Sequence, residues 1–345
     1  MVKKTHTFSS AKVAVYFDAT FKQLNKIVDQ KKAILVTDEN VFKAHKAKFK
    51  NWNVVTLKAG EEYKIQPTAD AIVEQLIAFQ ADRSSILVGV GGGVITDLTG
   101  YVASIYMRGI QFGFVPTSLL AMVDASIGGK NGIDVGAYKN MVGVIRQPSF
   151  LFYDSDFLST LPDLEWSNGF AEIIKHGAAL DAKMFARLSK LNLSQLQTDK
   201  KLLDAIIRKN VEIKSTVVKK DEFEKGDRKL LNFGHTLGHA LETQYELTHG
   251  QAVSLGMVFA SWLSAKLLGF KNEADVEKTL VGYGLPTRAA FDVERVFNIL
   301  KMDKKRVSKT MRFVLLSKIG KGQIVEISLA ELKKHLVAFN KLNKG

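Results

Sequence analysis

The stretch "LLNFGHTLGHALE" places His235 and His239 four residues apart, with Glu242 just behind them. Two imidazoles at that spacing share one face of a helix. They could hold a metal, carry protons, or be ordinary polar residues on a core helix. Upstream, "GFAEIIKHG" sets Glu172 and Lys175 at i and i+3, facing the same way, and "THGQAV" adds His249. The chain has no cysteine. Disulfides and thiolate metal sites are therefore excluded, and any metal must be held by His, Asp or Glu. A carboxylate with imidazoles is a set that zinc accepts when no thiolate is available. Spacing alone assigns both His235 and His239 as ligands and leaves Glu172 and His249 competing for a third place.

A second kind of chemistry is suggested by two glycine-rich turns. "SILVGVGGGVITDLTGYVASIYMRG" reads as a buried strand, then Gly91, Gly92 and Gly93, then a helix. Bare glycines let a pyrophosphate approach backbone N–H groups at a helix N-terminus. The spacing is not G-x-G-x-x-G, so the usual dinucleotide fingerprint fails, and a tight structural turn fits equally well. One crossover later, "VPTSLLAMVDASIGGKNGIDVGAYKNMVG" gathers Thr117, Ser118, Asp124, Gly128, Gly129, Lys130, Lys139 and Asn140. So many glycines and polar groups after a strand favour a site for an anion or a polyol over a plain loop.

These groups need a scaffold. "KVAVYF", "AILVTD", "NVVTL", "SILVGV" and "FGFVP" read as strands, and "TADAIVEQLIAFQA" has helical spacing. The alternation predicts a parallel sheet covered by helices over residues 1–150. From 151 to 345 the segments are long, rich in helix formers, and closed by a hairpin in "MRFVLLSKIGKGQIVEIS". The expected fold is thus an α/β, Rossmann-like nucleotide-binding domain followed by a mostly α-helical metal- and substrate-binding domain. The 345 residues are 46% hydrophobic and 24% charged, a globular profile. No secretory signal opens the chain, and "AVSLGMVFASWLS" is too short and too interrupted for a membrane span, so neither membrane nor export is expected. The net charge of +14 raises nucleic acid as a partner. The charges are scattered, however, and the dense run "KMDKKRVSKTMR" has no interleaved aromatics, so an anionic small molecule is the expected partner instead.

Taken together, "GEEYK", "GGGVITD", "YMRGI", "VPTSLLAMVDASIGGKNGI", "KNMVG", "FLSTLP", "GFAEIIKHG", "RKLLNFGHTLGHALE", "HGQAV" and "DKK" resemble the 3-dehydroquinate synthase family of sugar phosphate cyclases over nearly the whole chain. The resemblance implies that Glu172, His235 and His249 hold a divalent metal, zinc or cobalt, while His239 faces the substrate and relays protons near neutral pH. It implies NAD contacts from Asp38, Asn40, Glu61, Lys64, Gly92, Gly93, Val94, Asp97, Thr117, Ser118, Asp124, Lys130, Lys139, and Phe157 to Thr160. It implies substrate contacts from Arg108, Lys130, Asn140, Lys175, Lys214, Arg228, Asn232, His239 and Lys304. The implied substrate, 3-deoxy-D-arabino-heptulosonate 7-phosphate, carries a carboxylate and a phosphate, which suits that set of cations. The implied reaction is a redox cycle without net redox change: hydride is lost from carbon 5, phosphate is eliminated, hydride returns, the ring opens, and an aldol step closes the carbocycle. The family precedent also implies a homodimer, and the absence of cysteine fits a reducing cytoplasm.

Four positions depart from the family pattern: Thr96 for glycine, Ser118 for threonine, Asn131 for threonine and Gln251 for glutamate. Thr96 is expected to crowd the nucleotide, and Gln251 to weaken His249 by removing a charge near the metal. Three rival functions are a related cyclase such as 2-deoxy-scyllo-inosose synthase, a metal-dependent polyol dehydrogenase, and a basic nucleic-acid binder. Asp97, Asn232 and Phe233 follow the dehydroquinate pattern rather than that of the related cyclases. The dehydrogenases normally begin their ligand set with an aspartate, where this chain has Glu172.

Overall fold

The computed structural model describes residues 1–136, 138–302 and 309–343. The strands are β1 Val2–Thr7, β2 Lys12–Phe17, β3 Ala33–Asp38, β4 Asn53–Leu57, β5 Ile86–Gly91, β6 Gln111–Pro116, β7 Lys130–Val135, β8 Tyr138–Ile145, β9 Phe150–Phe152, β10 Thr310–Lys318 and β11 Lys321–Ser328. The helices are α1 Glu39–Ala44, α2 Gln66–Ala78, α3 Gly93–Ile105, α4 Asp163–Leu180, α5 Ala182–Leu188, α6 Leu193–Thr198, α7 Lys200–Lys220, α8 His235–Gln244, α9 His249–Leu268, α10 Glu273–Gly282, α11 Val293–Met302 and α12 Leu329–Leu342. The five strand segments and the long helices expected from the sequence all form.

The first compact unit comprises Met1–Glu165 and Asp204–Phe223. Its seven-stranded sheet has the order β1-β2-β9-β6-β5-β3-β4, with β1 antiparallel and the remaining pairs parallel. The central strands are continuous apolar runs because both faces are covered. Residues Ala33 to Thr37 of β3 are all buried. Helix α3 lies close on β5 because a Cβ at Gly89 would come within 2.8 Å of Thr99 Oγ1, and one at Gly91 within 2.5 Å of Ile95. After β3 the chain moves to β4 on one side; after β5 it moves to β6 on the other. That reversal opens a crevice at the carboxyl ends of β3 and β5, where α/β sheets bind ligands.

The second unit comprises Trp166–Leu203 and Glu224–Gly345. Helix α4 is its spine, buried without a break from Trp166 to Ala179. The β10–β11 hairpin is tied to α9 through Ser264 Oγ, which accepts from Leu316 N at 2.8 Å. Helix α9 is long and apolar enough to cross a membrane by composition, but most of it is buried inside this unit. It reads as a core helix.

The units divide differently from the expected 1–150 and 151–345. The first extends to residue 165, and residues 204–223, most of them in α7, return to it. Side chains explain the return. Arg208 grips both oxygens of Asp18 at 2.9 Å, with its guanidinium 4.4 Å from the centre of the Phe17 ring. Glu222 accepts from Ser9 Oγ, from Ser10 N at 3.0 Å, from Ser10 Oγ at 2.5 Å and from Gln147 Nε2 at 2.8 Å. Burial pushes the Glu222 carboxyl up, but the Ser10, Ser9 and Gln147 donors outweigh it and bring its pKa down to about 2.

A depressed carboxylate stabilises the fold above its ordinary pKa and loses that contribution as the pH falls toward the folded value. Glu222→Ala should therefore cost about 1.5–3 kcal/mol near neutral pH, the usual net worth of hydrogen bonds to a charged group. The gap between variant and parent should close between about pH 4.5 and pH 2. Denaturant unfolding across that range measures it, and a pH-independent gap would contradict the assignment.

Candidate active site

In the first unit, several residues expected to meet a nucleotide lie at the carboxyl ends of β3, β5 and β6. Asp38 ends β3 and accepts from Asn40 N and Val41 N, both at 3.0 Å, so one carboxylate oxygen caps α1. Burial raises its pKa against these donors. Gly92 and Gly93 have ordinary backbone angles, and a Cβ at either would make only ordinary contacts, 3.4 Å from Ser118 Oγ and 3.4 Å from Ala125 Cβ, so these glycines relieve no clash and serve to leave the backbone uncovered. The N-terminus of the 13-residue α3 is thus bare backbone. Thr96 does not crowd it. Its side chain is buried and its hydroxyl donates to the Gly93 carbonyl at 2.9 Å, so the expected obstruction is absent.

Lys64 is buried among three carboxylates: Glu61 at 2.6 Å, Asp97 at 3.6 Å and Asp134 at 3.7 Å. Burial drives its pKa down, but these anions outweigh it and the net shift is upward. Burial raises Asp97 to about 7 against the pull of Lys64, with Glu61 and Asp134 adding to the rise. Thr117 N donates to the Gly91 carbonyl at 3.0 Å, which fixes the next turn. Lys214 pairs with Asp124 at 2.8 Å and donates to its carbonyl at 2.7 Å. Arg108, Lys130, Lys139 and Asn140 are exposed. Met107 and Arg108 both have positive φ, 49° and 67°, a strained presentation that loops adopt at ligand sites. The Phe157 ring is buried with Phe21 and Phe49, so only its backbone could meet a cofactor, whereas Thr160 is exposed and its hydroxyl lies 2.8 Å from His45 Nε2. Asn131 is buried and donates to the Gly129 and Arg146 carbonyls at 2.7 and 3.0 Å, so that departure serves the turn.

In the second unit, glycines bring three ligand groups to one point. Gly250 lets α9 start against α4, since a Cβ there would lie 2.5 Å from Asn168 Cα. Gly234, at φ +80°, opens α8 where a Cβ would strike Met257 and the Val253 carbonyl. His249 Nε2 then lies 2.9 Å from Glu172 Oε1, and His235 Nε2 lies 3.4 Å from the same oxygen. One ligand atom from each falls within 4.8 Å of the others. Lys175 pairs with the other carboxylate oxygen. His239 is outside this trio, edge-on to His235 at 5.0 Å between ring centres. The structure therefore groups His249 with His235 and Glu172, and leaves the i, i+4 partner outside the group.

The trio suits a divalent ion. His235 Nδ1 lies 3.3 Å from the Phe233 carbonyl, which places the ring proton there and leaves Nε2 for a metal. Burial alone would raise the Glu172 pKa, but Lys175 and the two imidazoles hold it well below the carboxylate range. Three protein ligands leave positions for substrate oxygens. Behind His249 stands Glu242, 3.7 Å from Nδ1. Gln251 instead caps α9, accepting from Thr248 N at 3.0 Å. The charge beside His249 is therefore supplied by Glu242, and the substitution at Gln251 leaves it intact. His239 is exposed at the mouth of this trio, and partial desolvation together with the neighbouring His235 pushes its pKa down. Arg228 is buried, and Asn232 Nδ2 donates to Glu224 Oε1 at 3.1 Å. Lys304 lies outside the described residues. Asp134, Glu224 and the bracing role of Glu242 went unread in the sequence, because lone acidic residues carry no motif.

A family profile for the 3-dehydroquinate synthase N-terminal domain matches residues 54–168, and one for the 3-dehydroquinate synthase C-terminal domain matches residues 169–306. A curated 3-dehydroquinate synthase of Thermodesulfovibrio yellowstonii is 43% identical over 292 residues, spanning 82% of this chain and 81% of its own. That of Acetivibrio thermocellus is 36% identical over 357 residues, spanning 98% of this chain and 99% of its own. A crystal structure of 2-deoxy-scyllo-inosose synthase, complexed with carbaglucose-6-phosphate, NAD+ and Co2+, has a TM-score of 0.85 at 26% identity, covering 97% of this chain and 99% of that one. The α/β unit and the helical unit are those of an enzyme of the sugar phosphate cyclase type. Within that class, the chain belongs to the 3-dehydroquinate synthase family.

Proposed function

We propose that this chain converts 3-deoxy-D-arabino-heptulosonate 7-phosphate to 3-dehydroquinate and inorganic phosphate, using catalytic NAD and zinc. The convergence of Glu172, His235 and His249 in a chain of this family carries the reading. NAD, when bound, supplies a reversible hydride acceptor; a divalent ion supplies Lewis acidity at the substrate hydroxyls. The chain's own residues do the rest. Bare backbone at Gly92 and Gly93, with Asp38 and Asp97, forms the cradle for the nucleotide. Lys175, Arg228, Lys130, Asn140, Arg108 and Lys214 supply charge and hydrogen bonds for a dianionic sugar. His239 can accept a hydrogen bond from a substrate hydroxyl and take its proton. Catalysis in this reading rests mainly on position and charge. A cytoplasmic homodimer that binds neither nucleic acid nor membrane belongs to the same reading.

The test is phosphate release from the heptulosonate phosphate. Release should require NAD, stop on chelation, return with zinc, and leave no NADH. Stoichiometric NADH would indicate a polyol dehydrogenase and overturn the proposal.

A further inference from the structure

We propose that Asp134 is a positioning residue for substrate binding: its carboxylate holds the turn that presents Lys139 and Asn140 and joins that turn to Lys64. The inference rests on the function proposed above. The β7–β8 ladder is irregular at this point. Ile133 pairs with Val142 but Val135 pairs with Tyr138, so one residue on β7 faces three on β8. Bulges of this kind re-aim side chains beside active sites. Here the extra residues include Lys139 and Asn140, and Asn140 takes a positive φ of 53°. The Asn140 N–H donates to Asp134 Oδ1 at 2.6 Å. Asp134 is fixed in turn from the other side. Its N–H donates to the Lys64 carbonyl at 2.7 Å, in a bridge between Ile65 and Asp134, and its Oδ1 faces Lys64 Nζ at 3.7 Å. One side chain thus sets the bulge against the lysine of the nucleotide crevice. A small misplacement of binding groups is enough to weaken a reaction governed by position.

Asp134→Asn keeps an oxygen for the Asn140 N–H, whereas Asp134→Ala removes it. Alanine should raise the KM for the heptulosonate phosphate by about tenfold or more and leave kcat within about threefold. Asparagine should recover most of that loss. Hydrogen exchange over residues 138–142 should quicken in the alanine variant and match the parent in the asparagine variant. An unchanged KM in Asp134→Ala, equal damage in both variants, or unaltered exchange would each overturn the proposal. If the parent itself releases no phosphate, the assigned reaction fails, and the exchange result still decides whether Asp134 holds the turn.

Discussion

Glu172→Gln should lower phosphate release by at least about a thousandfold, the loss expected when several kcal/mol of Lewis-acid stabilisation disappears. Both imidazoles aim at Glu172 Oε1, at 2.9 and 3.4 Å, so the carboxylate is the hub of the trio. The amide keeps the shape and loses the charge that draws a cation. It also leaves Lys175, 2% exposed, without its carboxylate. Breaking a buried pair from one side costs about 3–5 kcal/mol, so this variant should melt well below the parent. His235→Ala separates the two effects. It removes a ligand while preserving the Glu172–Lys175 pair, and should lose metal and activity with a smaller fall in Tm. Metal content after dialysis, chelator competition and thermal unfolding read these outcomes. A Glu172→Gln protein that kept one tightly held zinc and full turnover would end the case for this centre.

Local pattern and distant packing contributed unequally to what the sequence revealed. The strands ending at Asp38 and Gly91 were legible because apolar runs and glycine punctuation are local signals. The nucleotide crevice follows from their order in the sheet, whereas alternation of strands and helices implied only that the sheet is parallel. The metal trio was not legible from spacing. His239 shares a helix face with His235, yet His249 reaches Glu172 because Gly250 seats the start of α9 on α4. That contact joins residues 168 and 250, and no short motif encodes it. The resemblance to a family supplied the assignment that the pattern lacked. The same blindness applies to the division of the chain. Helix α7 reads as one unbroken segment, and only the partners of Arg208, Lys214 and Glu222 reveal that residues 204–223 belong to the first unit. Gln251 and Thr96 show the converse error. Each looked like a change near a ligand, and each is spent on its own helix, as a cap at α9 and as a bond to the Gly93 carbonyl.

Gly256→Ala should detach the metal without touching any ligand. Gly256 lies two helical turns beyond His249 on α9, where a Cβ would sit 1.8 Å from the Gly234 carbonyl oxygen and 2.9 Å from Gly238 N. Both obstacles are backbone, so no side-chain rotation relieves the clash. Helices α8 and α9 must part by more than an ångström, at an overpacking cost of about 1–3 kcal/mol. His235 directly follows Gly234, so the parting moves it away from His249. Metal–ligand distances tolerate only about 0.2 Å of error, and zinc affinity should fall by about a hundredfold or more. Gly282→Ala is the control: nothing lies within 4 Å of its Cβ position, so affinity should hold, and Tm should stay level or rise slightly. Competition with a chromophoric chelator measures both proteins. If Gly256→Ala bound zinc as tightly as the parent, close approach of α8 and α9 could not be what sets the metal site.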